Sequence, residues 1–420
     1  MNATIPHRET TSENGTPAPG FRQMALLLAV GWALTNIAYA IYDLPLKFVL
    51  KDELHLDAQK ISKFFALGVF SNYVKPLAGI LTDSVPLFGT RRRHYLLFSL
   101  FLCGTGWLIL GIVPRRYSVM LVTFAITYTM VMVISTTLGG VMVEAGQRFQ
   151  AAGRLTAQRI AMFRIGSLAG GPLGGKLATY PLLLALGGSA GLHFLLIPIV
   201  YRYLREPGTA TLNRHLWQEA GEQFRGLVEN KVVLAAALMI FLIAASPGFG
   251  TPLFFHQTDT LHLSKQFLGN LGLVGAAFGL LGASFYHRAC RRLSVRHLLV
   301  ASVILHALGT LFYLAYQSPA TAIAITALEG MTGTLAILPV YDLAARGTPR
   351  GSEALGYSVM MSVWNLTNSL SDYVGSTLFT WYGLTFHHLV WLNAGTTALV
   401  LLAVPFLPKA LLQRRDGEKG

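Results

Sequence analysis

Blocks of about 20 mostly apolar residues, the length that a membrane-spanning helix needs, recur along the whole chain. Short polar stretches that hold most of the arginines separate these blocks. Helices are the expected spanning element, because open strands would leave backbone amides unpaired in hydrocarbon. Only 12% of the 420 residues are charged, about half the share found in soluble domains. The pattern excludes a soluble enzyme, a disulfide scaffold and a disordered protein.

We predict an all-α membrane protein in which twelve transmembrane helices form two pseudo-symmetric six-helix bundles. The first six spans are predicted at residues 24–50, 60–82, 94–113, 118–145, 153–178 and 180–204. The second six are predicted at residues 231–255, 264–287, 296–317, 319–344, 352–378 and 388–408.

The predicted organisation has five parts. In chain order they are a disordered cytoplasmic tail at 1–22, a six-helix bundle at 23–204, a cytoplasmic linker at 205–230, a second six-helix bundle at 231–408 and a cytoplasmic tail at 409–420. Apolar residues recur in the linker at spacings of three and four, which predicts an amphipathic helix along the membrane surface. Two six-helix halves linked in this way are typical of a transporter that rocks around a central site.

The positive charges fall in every second loop. With both termini in the cytoplasm, about 22 arginines and lysines lie on the inner side and about 7 on the outer side, as the positive-inside rule requires. We therefore expect a protein of the plasma membrane, of bacterial type, with both termini cytoplasmic. The formal net charge of +14 is explained by this topology, so no nucleic-acid partner is expected.

Two segments carry a family resemblance. Residues 75–95 read KPLAGILTDSVPLFGTRRRHY, and their core resembles the signature between spans two and three of the major facilitator superfamily. The Lys-Pro pair followed by Asp-Ser-x-Pro-x-x-Gly-x-Arg-Arg-Arg is similar to the folate–biopterin transporter (BT1-like) branch of that superfamily. A second similar segment lies at 344–376. Its matching residues are Pro349, Gly351, Glu353, Asn365 and Ser369.

The chain departs from that branch at two places. Ser71 and Asn72 stand where the branch usually has Pro-Trp. Ser135 and Gly139 stand in span four, where the branch tends to carry aspartates. The resemblance implies a secondary transporter, not an enzyme, that moves a folate-like, pterin-like or other small organic anion by alternating access.

The sequence shows no ATP-binding motif, no metal-ligand cluster and no spacing of catalytic residues. We therefore expect an ion gradient to drive transport, with a proton as the coupling ion and no cofactor. The expected partners are the small-molecule substrate, the coupling proton and membrane lipid, and the chain is expected to be a monomer.

Charged residues inside predicted spans are the best site candidates, because charge in the membrane is costly and usually faces a cavity or a partner. Arg164 lies near the middle of span five and Glu329 near the middle of span ten, one in each half. We expect Arg164 to anchor the negative charge of the substrate and Glu329 to bind substrate or proton. Arg159, nearer the cytoplasm, is the next candidate. Asp43, four residues before Lys47 and suited to a salt bridge with it, is a further candidate for proton coupling.

Uncharged polar and aromatic residues complete the predicted substrate site. A polar stripe on span eleven can either line a cavity or hydrogen-bond to a neighbouring helix. Its members are Asn365, Asn368 and Asp372. Aromatic rings that can stack on a flat heterocycle, or simply pack, are Tyr39, Tyr128 and Trp364.

A gate is predicted at the cytoplasmic end of the bundle. Asp83, at the end of span two, is expected to reach the arginines that follow it and the start of span eleven. The predicted gating residues are Asp83, Arg91, Arg92, Arg93, Glu144 and Glu353. Solvated arginines that only fix the topology are the alternative. Lys75 is expected to pair with Asp83 or Glu144 and stabilise the inner half.

Two other functions stay open at this point. The GGPLGG run at 170–175 resembles the Gly-Pro motif in span five of proton antiporters, so a drug- or metabolite-exporting antiporter of the same fold is the first alternative. Close helix packing is the other interpretation of that run, because small residues let helix backbones approach. A non-transporting membrane protein, such as a scramblase or a sensor, is the second alternative.

Overall fold

The computed structural model describes residues 20–149, 151–206, 216–289, 292–347 and 353–406. Apart from residues 20–22, the two predicted tails lie outside this part of the chain. In the first half the helices are α1 Phe21–Phe48, α2 Ala58–Gly68, α3 Lys75–Ser84, α4 Arg93–Ile112, α5 Tyr117–Arg148, α6 Ala152–Leu177 and α7 Leu182–Tyr203. The later helices are α8 Leu216–Glu229, α9 Lys231–Ala244, α10 Gly250–Phe255, α11 Lys265–Ala289, α12 Val295–Leu311, α13 Pro319–Gly347, α14 Glu353–Trp381 and α15 Phe386–Leu399.

Within the described residues, eight helices are long and apolar enough to cross a membrane by themselves. A ninth candidate span joins α2 to the turn and helix that follow it, with a bend of 44°. The predicted count of twelve is compatible with this architecture, because α6, α14 and the α9–α10 pair occupy the three remaining predicted positions. The α6 and α14 helices are also among the most polar, since α6 carries three arginines and α14 carries two asparagines and an aspartate.

Each half packs mainly on itself. In the first half α1 packs on α6 and α7, and α4 packs on α5 and α7. In the second half α11 packs on α13, α12 packs on α13 and α15, and α9 packs on α14. The halves meet along two lines, α6 against α11 and α2 against α14. The α8 helix occupies the second part of the predicted linker and contacts α3, α9 and α14.

Glycines form the line of contact between α6 and α11. A Cβ atom added to Gly175 would lie 2.8 Å from the Cα of Gly269, and one added to Gly171 would lie 2.9 Å from the Gly269 carbonyl oxygen. These approaches require residues without side chains. The structure therefore supports the packing interpretation of the glycine run at 170–175.

A short internal repeat relates the two halves. Residues 45–60, PLKFVLKDELHLDAQK, align without gaps on residues 252–267, PLFFHQTDTLHLSKQF. In both copies an α-helix passes into one turn of π-helix, which ends at Glu53 in one and at Thr260 in the other. The histidine two residues later has a positive φ in each copy, 50° at His55 and 49° at His262. Both copies lie at the same end of the bundle, which we call the distal end.

Candidate functional site

Arg164 reaches from the first half into the second. Its Nη2 donates a 2.7 Å hydrogen bond to Oγ1 of Thr334 on α13. A Cβ atom added to Gly279 of α11 would lie 2.9 Å from Arg164 Nη1, so the glycine leaves room for the guanidinium. The side chain of Thr334 is buried. An arginine of α6 is thus held between two helices of the other half, at mid-depth of its own helix.

Glu329, on α13, lies within electrostatic reach of this arginine, because the charge of Arg164 acts on its carboxyl group. Glu329 is exposed, although Ala322 and Ile325, on the same face of α13, are 0% and 6% exposed. The Glu329 side chain therefore keeps accessible surface on a face of α13 whose other members are buried. The structure therefore brings together the two leading site candidates, one from each half.

Arg159 and Lys75 form a second positive region in the first half. The Arg159 guanidinium lies 4.5 Å from the ring centroid of Trp32, and Lys75 Nζ donates a 3.1 Å hydrogen bond to Ser135 Oγ. The charge of Arg159 acts both on Lys75 and on Tyr357 of α14. The partner expected for Lys75 was Asp83 or Glu144. The Asp83 side chain lies outside the described part of the structure, and Glu144 contacts an arginine instead.

The carboxylate of Asp372 is hydrogen-bonded to a neighbouring helix. Its Oδ1 accepts a 2.9 Å hydrogen bond from the backbone N–H of Thr251, and its Oδ2 accepts a 2.6 Å bond from Thr251 Oγ1. Thr251 lies in the first turn of α10, where a carboxylate is stabilised by the free N–H groups. The backbone N–H of Gly248 donates to the Ser371 carbonyl at 2.9 Å. The polar stripe on α14 therefore serves, at this position, to hold the break between α9 and α10.

The other two members of the stripe leave more of their surface accessible. Asn368 is exposed, and its Nδ2 donates a 2.8 Å hydrogen bond to the carbonyl of Trp364 on the same helix. Asn365 is half-buried one turn earlier. Trp364 packs against the hydrophobic cluster of the second half.

Asp43 and two tyrosines lie together in the first half. Asp43 forms the expected salt bridge with Lys47, at 2.8 Å, and its charge acts on Tyr39 and Tyr128. Tyr39 is 44% exposed, and the Tyr128 hydroxyl accepts a 3.2 Å hydrogen bond from Asn72 Nδ2. This group adds an acid and two rings to the first half.

The described arginines of the predicted gate make contacts within the first half. Arg92 Nε lies 3.4 Å from Glu144 Oε2. The backbone N–H groups of Arg92 and Arg93 donate to Glu206 Oε2 at 3.0 and 3.2 Å, and Arg93 lies over the Tyr201 ring at 4.8 Å. Arg91 is exposed. Glu206 was missed by sequence reasoning, because an acid in a loop has no pattern that points to its partner.

The side chains of Asp83 and Glu353 lie outside the described part of the structure. The expected contact of Asp83 with the start of span eleven therefore stays a prediction. Glu353, also a predicted gating residue, is the first residue of α14.

Among the described residues, the salt bridges between the halves lie at the distal end. Lys51 Nζ lies 2.5 Å from Asp259 Oδ1, and Lys265 Nζ lies 3.4 Å from Asp52 Oδ2. Asp52 and Asp259 occupy the same position in the two copies of the repeat. Each half therefore provides a lysine that crosses to the repeat aspartate of the other half.

Aromatic and amide contacts follow the same crossed pattern. The Lys51 ammonium lies 5.4 Å from the ring centroid of Phe255, and the Lys265 ammonium lies 4.4 Å from that of Phe48. Gln59 and Gln266 are also equivalent, and each donates a hydrogen bond to the other half. The acceptors are Tyr373 Oη at 2.9 Å and the Pro172 carbonyl at 3.1 Å. The repeat was the signal that could have revealed this region from sequence.

No group of three or more His, Cys, Asp or Glu side chains that could hold a metal ion occurs among the described residues. Among the described site residues, the chemistry available is that of cations, carboxylates, amides and aromatic rings. Such groups bind and orient a solute and can exchange a proton.

A model of the BT1 family matches residues 36–416 of this chain. The folate-biopterin transporter of Synechocystis sp. is 29% identical over 431 aligned residues, which cover 93% of this chain and 85% of that protein. Folate transporter 2 of Plasmodium falciparum is 24% identical, with 85% of this chain and 82% of that protein covered. The solved structure of the peptide transporter POT in complex with sulfate has a TM-score of 0.71 at 14% identity, over 93% of this chain and 96% of that one. The likeness to solved transporters establishes the major facilitator fold.

Proposed function

Given that this chain belongs to the BT1 family and is a membrane transporter, we propose that it moves a small organic anion, similar to folates or pterins, across the plasma membrane by alternating access. The names of its relatives support this class of solute. The observation that carries the proposal is that Arg164 of the first half hydrogen-bonds to Thr334 on α13, the helix of Glu329, whose carboxyl group lies within reach of its charge.

In this proposal Arg164 anchors an anionic group of the solute, and Glu329 accepts the coupling proton. A guanidinium offers two parallel N–H donors to a carboxylate. While Glu329 is ionised, its carboxylate competes with the anionic group of the solute for the guanidinium of Arg164. Protonation of Glu329 removes that competition and makes Arg164 available to the solute. Proton and anion would therefore enter together, which is symport.

Alternating access requires contacts that form in one state and break in the other. The crossed lysine–aspartate pairs at the distal end join the halves in the structure described here. We assign this end to the outside, with both termini in the cytoplasm. These pairs then hold the outer side closed, and their separation opens the path to the outside. The transporting unit is the monomer, because each crossed pair joins two halves of one chain.

Transport by purified protein in proteoliposomes tests the proposal. With an inward proton gradient, we expect labelled folic acid to accumulate more strongly than biopterin, which has no carboxylate, and a collapsed gradient to abolish accumulation. Glu329→Gln should lose accumulation driven by the pH gradient while it still exchanges labelled for unlabelled solute. Glu222→Gln, on the exposed side of α8, is the matched control and should behave as the unchanged protein.

Two outcomes would contradict this scheme. Full gradient-driven accumulation by Glu329→Gln would exclude Glu329 as the coupling group. Outward pumping of the solute against its gradient, or no flux of either compound, would exclude import of a folate-like solute.

A further inference from the structure

Lys75 and Arg159 carry two positive charges that the scheme above does not use. Both lie within predicted spans and both are half-buried. Among the described residues, no carboxylate forms an ion pair with either side chain. The contacts that they do make are with a hydroxyl group and an indole ring, which cannot neutralise them.

The two charges also repel each other. The charge of Arg159 acts on Lys75, and among the described residues no carboxylate is ion-paired with either group to offset it. Isolated charge at membrane depth is costly, so like charges that share one region there need a counter-ion. Since the described part of the protein provides none, an anion bound from outside the chain is the group that would complete this region.

The surrounding side chains suit an anionic part of an organic solute. Ser135 has a hydroxyl next to the Lys75 ammonium, and Trp32 supports the Arg159 guanidinium from one face. Tyr357, which feels the charge of Arg159, belongs to α14 of the second half. The region is therefore bordered by both halves, as a transported solute requires.

We infer that Lys75 and Arg159 form an anion subsite, separate from Arg164, which binds a second carboxylate or equivalent anionic group of the solute. Arg159 and Arg164 are five residues apart on α6, a rise of about 7.5 Å, and project from different faces of the helix. The subsite rests on the transport function proposed above. It narrows the solute to organic compounds that carry two negative groups.

Three probes with related rings test the subsite on the purified full chain. Folic acid has two carboxylates, pteroic acid has one and biopterin has none. We expect affinity to fall along this series. Lys75→Gln and Arg159→Gln should each weaken binding of folic acid by about 10- to 100-fold, the effect of losing a charge-assisted hydrogen bond. Binding of biopterin should change less than about twofold, since it presents no charge to the subsite.

Thermal stability of the empty protein separates a binding role from a structural one. Removing one of two repelling charges should raise the melting temperature without solute, by about 2 °C or more. Lys75→Arg and Arg159→Lys keep the charge and should retain binding of folic acid. Lys176→Gln, an exposed lysine on the other end of α6, is the matched control and should change neither quantity.

The outcomes distinguish the subsite from the transport proposal. A lower melting temperature together with equal loss of folic acid and biopterin would show a structural role and overturn the subsite. Unchanged binding of folic acid in both neutral variants would also overturn it, whether or not transport occurs.

If the unchanged protein binds none of the three compounds, the proposed class of solute is wrong. Thermal stabilisation by sulfate, measured at constant ionic strength, then tests the subsite by itself. Stabilisation by sulfate that is lost in both neutral variants would support the subsite alone. Stabilisation that persists in them, or that never occurs, would overturn it.

Discussion

The two halves are alike at the distal end and unlike at mid-depth. At the distal end each half has the same Pro-Leu-x-Phe and Leu-His-Leu residues, the same π-helical turn and an equivalent aspartate. At mid-depth the first half contributes the cations Lys75, Arg159 and Arg164, whereas the second half contributes Glu329. A contact that joins two similar halves can use the same residues in each half. A site for an asymmetric solute cannot, so divergence is expected there.

Neutralising the mid-depth arginine should have the largest effect. Arg164→Gln removes the charge proposed to anchor the solute and leaves Glu329 without its opposite charge. We expect initial uptake in proteoliposomes to fall at least about 100-fold. The double variant Arg164→Gln with Glu329→Gln should recover thermal stability but not uptake. Recovery of uptake in the double variant would contradict the role of Arg164 as an anchor.

Asp372→Asn should mainly affect stability. The change replaces one acceptor oxygen by an amide, so one of the two bonds from Thr251 is lost. We expect the free energy of unfolding to fall by about 1–3 kcal/mol, measured by denaturant or thermal unfolding in detergent. Asn368→Ala, one turn earlier on the same stripe, is the control and should change stability by less than about 0.5 kcal/mol. If the folded variant also lost its affinity for solute, Asp372 would belong to the site rather than to the helix break.

The distal aspartates should give the smallest effects, and equal ones. Asp52 and Asp259 are 44% and 52% exposed, and ion pairs of this kind contribute about 0.2–1 kcal/mol. Asp52→Asn and Asp259→Asn should therefore each shift the closed-to-open equilibrium by roughly 1.5- to 5-fold. Distances between spin labels on the two distal ends report this shift.

Exchange of charges sharpens the same test. Lys51→Asp should open the distal end further, and the added change Asp259→Lys should close it again, because the pair is restored in reverse. A clear difference between the two single aspartate variants would show that the repeat does not act symmetrically.

The helices and the family resemblance could be predicted from the sequence, because both depend on local patterns. Apolar blocks determine where helices lie, and a spacing of four placed the Asp43–Lys47 salt bridge, which is confirmed. The glycine run at 170–175 likewise indicated close packing, which the contact with Gly269 confirms.

Contacts between distant segments could not be predicted in the same way. The partner of Lys75 is Ser135, sixty residues later, and Asp372 binds Thr251, which precedes it by more than a hundred residues. Neither partner has a sequence pattern that distinguishes it from other small polar residues. Lys51 and Asp259 are an exception in principle, because the repeat marks the position of the aspartate in both halves.

The glycine line between α6 and α11 has a mechanical consequence. Helices usually interlock through side chains, which must be withdrawn before one helix can turn against another. Along this line the helices approach through bare backbone, at Gly171, Gly175 and Gly269. The close packing holds the helices together, and the absence of interlocking side chains leaves them free to rotate. In the alternating-access motion proposed above, this line can serve as the axis of rotation between the two halves. A single methyl group placed on it should then hinder the rotation even where the protein still folds.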